Sequence, residues 1–300
     1  MLFLVVALAF GVWAVVAQWD SLVDAVAQVN PWILVLAVVL SIVYVSLTFG
    51  AWRRLMLAQH DRLKSRDAAR VFFVSQLGKY LPGGIWNIVA AAELGKDHEI
   101  SRLHSVVVMV QSTLISIASG LCLGAIGIAV GPPELRAQTW WVLLALPFAL
   151  VALTPAVINR ITAVVLRRVG REQLRVSATW QSVGVASAWS VGAWVVAGLQ
   201  VWILSLGLGL SSDLSTLGLC VLAYALAWTV GFLVIVAPAG IGIREGVLGL
   251  LLAGQLTSGA VVALVLLSRI AFTIADVLAG LLYLRRGSTQ QADASGLAPE

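Results

Sequence analysis

The chain has 300 residues, of which 60% are hydrophobic and only 11% are charged, and its mean hydropathy is +0.99. A soluble domain carries about a quarter charged residues, so this composition excludes a water-soluble enzyme and predicts an all-α polytopic membrane protein. The net charge of +5 comes from basic residues that lie beside apolar segments, so we expect a membrane and not a nucleic acid as the partner.

Apolar segments long enough to cross a membrane follow one another along the chain. A hydrocarbon layer of ~30 Å needs about 20 helical residues. In chain order, the candidates are residues 2–18, 32–52, 103–130, 139–158, 180–208, 214–236 and 260–284. The first segment lacks a basic leader, so we interpret it as a span and not as a signal peptide. Residues 1–284 are predicted to form a single transmembrane domain, and the polar residues 287–300 are predicted to form a disordered cytoplasmic tail.

Basic residues lie on one side of these spans. That side holds Arg53, Arg54, Arg62, Lys64, Arg66, Arg70, Lys96, Arg102, Arg160, Arg167, Arg168, Arg171, Arg175, Arg285 and Arg286. The opposite loops hold Asp20, Asp24, Glu134 and Asp213, with Arg136 as their only basic residue. This positive-inside pattern predicts a protein of the bacterial inner (plasma) membrane with a cytoplasmic C-terminus.

The apolar segment 71–95 is interrupted by Pro82, Gly83 and Gly84. Basic loops flank the segment on both sides, so it must enter and leave the membrane on the same side. Non-helical backbone is tolerated inside a membrane only where it is buried in protein or lines a polar cavity. We therefore predict a re-entrant helical hairpin with its turn near the midplane.

A second interrupted segment, 241–254, follows the break at Pro238 and Gly240. At ~1.5 Å per residue, 14 helical residues extend about 21 Å, which is too short to cross. The chain is therefore predicted to have six full spans and two re-entrant hairpins. If residues 214–236 cross the membrane on their own, a simpler count of eight spans would hold.

A constant shift of 156 residues relates the two breaks and indicates an internal repeat. The shift matches Pro82 with Pro238, Gly84 with Gly240, Ile85 with Ile241 and Gly124 with Gly280. The halves, about 1–130 and 139–284, are predicted to be inverted, because the last span of each runs in the opposite direction. Inverted repeats with broken helices at the midplane are the architecture of secondary transporters.

The residues around both breaks resemble a known family. Residues 77–86 (LGKYLPGGIW) resemble the first signature of the lysylphosphatidylglycerol synthase transmembrane (flippase-like) domain family, and residues 238–245 (PAGIGIRE) resemble its second. Arg269 matches an arginine that this family often carries in its last span. Gly84 and Gln111 depart from the family's pattern.

That resemblance implies a lipid-translocating domain. Full-length synthases add a cytosolic aminoacyl-transferase domain, whereas this chain stops after the last span, so we expect no enzyme activity. Other relatives handle polyprenyl-linked sugars, so the resemblance leaves the identity of the lipid open.

Charged residues inside apolar segments cost about 2.5–3.5 kcal/mol each on insertion scales, so each is a functional candidate. Lys79 and Arg244 lie close to the two breaks and predict a phosphate site, which the backbone amides of Gly240, Ile241 and Gly242 would complete. An arginine fork binds two phosphate oxygens. The predicted substrate-binding set is Lys79, Tyr80, Pro82, Gly83, Gly84, Trp86, Asn87, Pro238, Gly240, Gly242, Arg244, Glu245, Arg269 and Asp276.

A structural role for the same charges stays open. Arg269 is the natural partner of Glu245, and Asp276 lies seven residues further along the same helical face. These charges form either a structural ion network or a substrate or proton pathway. Lys79 would otherwise extend to the cytoplasmic surface, and Glu93 is expected to face interfacial water. Small residues on the spans indicate close helix packing, namely Ser116, Gly120, Gly124, Gly184, Ser187 and Gly192.

Motifs for nucleotide, metal or acyl-transfer chemistry are absent from the sequence: it has no P-loop, no HExxH and no G-x-S-x-G. Cys122 and Cys220 lie in apolar spans, which is typical of packing residues. We expect no catalytic residue, no metal and no cofactor. The leading hypothesis is a translocator for an anionic phospholipid or a polyprenyl-phosphate-linked lipid. The alternatives are a non-transporting subunit or scaffold of an envelope biosynthesis complex and an intramembrane lipid-modifying enzyme. A homodimer or an envelope-enzyme partner stays open.

Overall fold

The computed structural model describes residues 19–59, 63–81, 86–98, 100–130, 140–168, 177–233 and 242–294. Within these ranges the chain is mostly helical and forms no β-strand, so the predicted all-α fold class is confirmed there. The helices are α1 (Trp19–Gln28), α2 (Pro31–Leu57), α3 (Ser65–Gln76), α4 (Trp86–Lys96), α5 (Arg102–Val130), α6 (Leu146–Ala152), α7 (Pro155–Arg168), α8 (Trp180–Gly207), α9 (Leu214–Leu233), α10 (Ile243–Leu252) and α11 (Ser258–Ala294). Short 3₁₀ turns occupy Leu77–Tyr80 and Trp140–Ala145.

Five of the described helices, α2, α5, α8, α9 and α11, are long and apolar enough to cross a membrane. The predicted span at 139–158 is not one straight helix, because Leu143–Ala152 and Pro155–Arg168 meet at a bend of 75°. Pro155 explains the bend, since proline disfavours a helical conformation in the residue before it. This pair would bring the number of spans to six. The predicted first span, 2–18, lies outside the described residues.

The first interrupted segment consists of α3, the 3₁₀ turn Leu77–Tyr80 and α4, and α3 packs against α4. Gly78 allows the 3₁₀ turn to lie directly against α4, because a Cβ atom at this position would be 2.7 Å from the backbone nitrogen of Asn87. No side chain fits into that space. The 3₁₀ turn and the start of α4 are therefore held in backbone contact.

At the second interrupted segment, α9 packs against α10. Gly231 on α9 lies beneath Arg244, and a Cβ atom on this glycine would be 3.1 Å from Cβ of Arg244. Gly242 precedes α10 with a φ of +86°, a left-handed conformation that favours glycine. Its amide donates a hydrogen bond of 2.7 Å to Oε2 of Glu245, which caps the N-terminus of α10.

Helix α8 packs against α2, α5 and α9. Trp194 on α8 donates its Nε1 hydrogen to the carbonyl oxygen of Ser116 on α5 over 3.0 Å, and it covers Gly120. Gly198 brings the backbone of α8 against α9, because a Cβ atom there would lie 2.4 Å from Cα of Val221. Small residues thus allow the close helix contacts that membrane proteins use in place of a hydrophobic driving force.

A buried polar chain connects α5 to its neighbours. Gln111 is fully buried on α5, and its Oε1 accepts a hydrogen bond of 3.1 Å from Nε2 of Gln59. Its own Nε2 donates to the Thr162 hydroxyl on α7, also over 3.1 Å. Both ends of the amide are therefore satisfied, as a buried polar group requires.

Asp213 caps α9 outside the membrane-spanning segments. Its Oδ1 accepts hydrogen bonds from the Ser215 hydroxyl at 2.6 Å and from the Thr216 amide at 2.8 Å. These bonds, with that of Ser215 the largest cause, lower the pKa of Asp213 from 3.8 to about 2. The carboxylate therefore stabilises the start of the helix in its ionised form.

Helix α11 continues to Ala294, so residues 287–294 of the predicted disordered tail are helical. Extending an existing helix fixes one residue for each added hydrogen bond, whereas a new helix must first form a costly nucleus. The long preceding span therefore explains why this polar segment, rich in Gln and Ala, continues the helix. Residues 295–300 lie outside the described part of the chain.

Candidate functional site

A cavity of about 230 Å³ lies among the helices, close to the middle of α2 and α11 and to the C-terminal half of α9. Its polar lining consists of Thr48, Gln76, Lys79, Tyr80, Asn87, Ser112, Thr113, Ser116, Ser190, Arg244, Arg269 and Asp276. Its aromatic lining consists of Tyr44, Phe72, Tyr224, Trp228, Phe232 and Phe272. Both interrupted segments contribute to the lining, through the 3₁₀ turn and α4 in the first and through α10 in the second.

Asp276 is the buried carboxylate of this cavity and is only 2% exposed. Its Oδ2 accepts hydrogen bonds from Nζ of Lys79 at 2.7 Å and from the hydroxyl of Tyr80 at 2.5 Å. Its Oδ1 is also buried and has no hydrogen-bond partner among the described residues. The ion pair contradicts the alternative in which Lys79 extends to the cytoplasmic surface.

A second ion pair joins α10 to α11. Nη1 of Arg269 lies 3.2 Å from Oε1 of Glu245, which confirms the predicted partner. The other oxygen of the same carboxylate accepts the amide of Gly242. The phosphate hypothesis had expected this amide to be free to bind an anion. In the structure it is instead bound by the side chain of Glu245. Gly240 and Ile241, the other two expected donors, lie outside the described residues.

Arg244 differs from the other two cations of the cavity, because it forms no ion pair with any described carboxylate. Its Nη2 donates a hydrogen bond of 2.5 Å to the hydroxyl of Tyr224. Its guanidinium carbon lies 4.5 Å from the ring centre of Tyr224 and 5.3 Å from that of Phe272. Stacking on aromatic rings holds a guanidinium in place without neutralising its charge.

Three tyrosines line the cavity together with these charges, and two of them, Tyr44 and Tyr224, were missed by the sequence analysis. The rings of Tyr44 and Tyr224 are 6.0 Å apart, and both lie against Phe272, at 5.1 and 5.0 Å. A signal was present in the sequence: tyrosines of membrane proteins favour the interfaces, whereas these two lie in the middle of apolar spans. Of the four tyrosines in the chain, only Tyr283 is not part of the lining.

The structure brings six of the predicted site residues to one cavity: Lys79, Tyr80, Asn87, Arg244, Arg269 and Asp276. Glu245 and Gly242 lie beside it through the contacts described above. Trp86 is 44% exposed and does not line the cavity. The remaining predicted residues, Pro82, Gly83, Gly84, Pro238 and Gly240, lie outside the described part of the chain.

Glu93 lies away from the cavity and is half exposed. It pairs with Lys96 at 2.7 Å and with Nε of Arg102 at 2.8 Å. The hydrogen bonds from Arg102 and then Lys96 lower its pKa from 4.5 to about 2. This geometry is that of a surface ion pair at the end of α4, which agrees with the interpretation that Glu93 faces interfacial water. Within the described ranges, no three His, Cys, Asp or Glu residues lie close enough to hold a metal ion.

Comparison with known proteins identifies the family. No curated protein matches the chain significantly. The family model described as "Lysylphosphatidylglycerol synthase TM region" matches residues 2–280, which include every residue of the cavity. The resemblance noted around the two breaks is therefore confirmed over most of the chain. The chain belongs to the lysylphosphatidylglycerol synthase TM region family and is a multi-pass integral membrane protein.

Proposed function

We propose that the protein binds the phosphate of an anionic lipid in this cavity and moves the lipid between the leaflets of the bacterial inner membrane. The observation that carries the proposal is Arg244, a guanidinium that forms no ion pair with any described carboxylate and lies among apolar helices. A charge at that depth is costly, so a bound anion would stabilise it. The planar fork of arginine suits two oxygens of a phosphate.

The two other cations of the cavity do not compete for this role, because Lys79 is paired with Asp276 and Arg269 with Glu245. The rings of Tyr224 and Phe272 lie against the guanidinium of Arg244, which lines the cavity. A phosphate that enters this cavity would therefore meet one strong donor whose charge is not used in an ion pair with a described residue. The acyl or prenyl chains would remain in the surrounding lipid.

The proposed translocation relies on the inverted repeat, and the helix bounds support it. A shift of 156 residues moves α4 to 242–252, within one residue of α10 (Ile243–Leu252). The same shift moves Arg102, the first residue of α5, onto Ser258, the first residue of α11. In our proposal, the two interrupted segments are re-entrant hairpins that approach the cavity from opposite leaflets, and rocking of the halves exposes it to each leaflet in turn.

The proposal includes no catalytic step, and the polar clusters of the cavity serve to bind the headgroup. The basic loops face the cytoplasm in this arrangement, together with the C-terminus, as the positive-inside pattern predicts. The alternative is a membrane subunit that binds a lipid or an envelope enzyme without transporting anything. The same reconstitution experiment separates the two.

The test is lipid translocation in proteoliposomes that contain the purified full chain. The panel holds fluorescent phosphatidylglycerol, its lysyl ester and undecaprenyl phosphate, and Arg244→Ala is compared with Arg167→Ala. Arg167 is exposed at the end of α7, so its replacement removes one charge far from the cavity. We expect protein-dependent movement that Arg244→Ala abolishes and Arg167→Ala leaves unchanged. Movement that survives in Arg244→Ala would refute the site, and a folded protein that moves none of the lipids would favour the subunit.

A further inference from the structure

The charges of the described residues around the cavity sum to a single positive charge. The described residues that line it include Lys79, Arg244, Arg269 and Asp276, and Glu245 lies beside them. The two ion pairs are neutral, which leaves only the guanidinium of Arg244. The segments 82–85 and 234–241, whose structure is not described, contain no ionisable residue in the sequence. They therefore cannot change this balance.

The cavity also offers one strong acceptor. Asp276 lines it and is 2% exposed, and its Oδ1 has no partner among the described residues. Leaving a buried charged acceptor unsatisfied is costly, so a ligand that donates a hydrogen bond there would bind more tightly. The charge of this carboxylate is already balanced by Lys79 at 2.7 Å. A neutral donor such as a hydroxyl suits it better than an ammonium, which Lys79 and Arg269 would repel.

We infer that the ligand is a phosphodiester with one negative charge, whose headgroup is neutral and carries a hydroxyl group. This inference rests on the proposed function and specifies its substrate class. The phosphodiester lies against Arg244 and the hydroxyl donates to Asp276. A phosphomonoester carries about −1.5 to −2 at neutral pH and exceeds the available charge. A headgroup with an ammonium group, such as a lysyl ester, adds a positive charge. The described carboxylates of the site are already paired with Lys79 and Arg269 and cannot balance it.

The size of the cavity agrees with a headgroup and not with a whole lipid. Pockets for drug-sized ligands measure about 300–1,000 Å³. The cavity here has about 230 Å³, which suffices for a phosphate and a small polyol. Two sources share the required chemistry: a glycerophospholipid with a polyol headgroup and a polyprenyl-phosphate sugar.

The test is equilibrium binding of lipids to the purified full chain in detergent, measured by native mass spectrometry. The four glycerolipids have identical acyl chains: phosphatidylglycerol, phosphatidylmethanol, phosphatidic acid and phosphatidylethanolamine. Phosphatidylmethanol is the matched control, because it keeps the single charge and lacks the hydroxyl. We expect phosphatidylglycerol to bind about tenfold more tightly than each of the other three. A polyprenyl-phosphate hexose is compared with phosphatidylglycerol, and the tighter of the two identifies the source.

Substitutions then separate the two parts of the inference. The double variant Lys79→Met with Asp276→Leu keeps the net charge and removes the acceptor, so phosphatidylglycerol and phosphatidylmethanol should bind equally. Glu245→Gln removes one negative charge beside the cavity, so phosphatidic acid should gain about tenfold relative to phosphatidylglycerol. Because this second variant leaves Asp276 intact, it tests the charge balance even where the double variant does not fold.

The outcomes distinguish this inference from the proposed function. Wild-type protein that prefers phosphatidic acid or phosphatidylethanolamine, with binding still lost in Arg244→Ala, would overturn the headgroup assignment and leave the site in place. Equal binding of phosphatidylglycerol and phosphatidylmethanol would overturn the role of Asp276. Binding of phosphatidylglycerol that is unchanged in Arg244→Ala would overturn the proposed function itself.

Discussion

Gly198 holds helices α8 and α9 in backbone contact, and its replacement by alanine should push them apart. A methyl group at this position would lie 2.3 Å from Cγ2 and 2.4 Å from Cα of Val221. Carbon atoms in contact are normally about 3.5–4.0 Å apart. The Val221 side chain could rotate away, but its Cα atom belongs to the backbone. Helix α9 must therefore shift by roughly 1 Å.

The expected cost follows from two opposing effects. Overpacking a close contact costs about 1–3 kcal/mol, and a clash with backbone belongs at the upper end of that range. Alanine regains up to ~1 kcal/mol through its higher helix propensity. The difference between the two effects is a loss of about 2 kcal/mol in the free energy of unfolding for Gly198→Ala. The shift of α9 also disturbs the cavity residues that this helix carries.

Thermal unfolding in detergent, followed by the fluorescence of the 12 tryptophans, measures this loss. A loss of about 2 kcal/mol corresponds to a fall in Tm of about 4 °C or more. Gly184→Ala is the matched control on the same helix, because a Cβ atom there would meet nothing within 4 Å. Equal Tm values for the two variants would show that α8 and α9 do not touch at Gly198.

Three further substitutions test other contacts. Glu245→Gln removes the ion pair with Arg269 and should cost roughly 1–3 kcal/mol in unfolding free energy, whereas Glu93→Gln on the exposed surface should leave Tm unchanged. Asp213→Ala should lower Tm by a constant amount above about pH 5, and this difference should shrink as the pH falls through 3.8 and disappear below about 2, the pKa of the wild-type carboxylate in the folded protein. Gln111→Glu puts a carboxylate into a fully buried site, so its Tm deficit should widen as the pH rises from about 5 to about 8. A pH-independent deficit in either titrating variant would contradict the assigned contact.

The sequence allowed the helices and the charged residues of the cavity to be predicted, because both follow from the cost of polar groups in a membrane. Lys79, Arg244, Arg269 and Asp276 stand out in apolar segments and indeed meet at one cavity. The bend before Pro155 was missed, because a proline within an apolar run is compatible with a straight span, a kink or a break.

The packing glycines show why the closest helix contacts could not be predicted. Gly120 and Gly124 lie against neighbouring helices as expected, but Gly184 meets nothing and the tightest contact, at Gly198, was missed. In a soluble helix, polar residues on the outer face reveal which side is buried. Here both faces are apolar, one towards lipid and one towards protein, so periodicity does not separate Gly184 from Gly198.

The pairing of charges is the information that only the structure adds, and it changes the meaning of the site. In the sequence, Lys79 and Arg244 are equal candidates for a phosphate, because each lies close to a break. The structure ties Lys79 to Asp276, a residue far away in the chain, whereas the described residues give Arg244 aromatic and hydroxyl contacts and no ion pair. A charge that already has a counter-ion gains little from a ligand, whereas a charge inside the protein without an ion pair is stabilised by a bound anion. The cation that lacks an ion pair among the described residues, and not the number of cations, therefore indicates where the phosphate would bind.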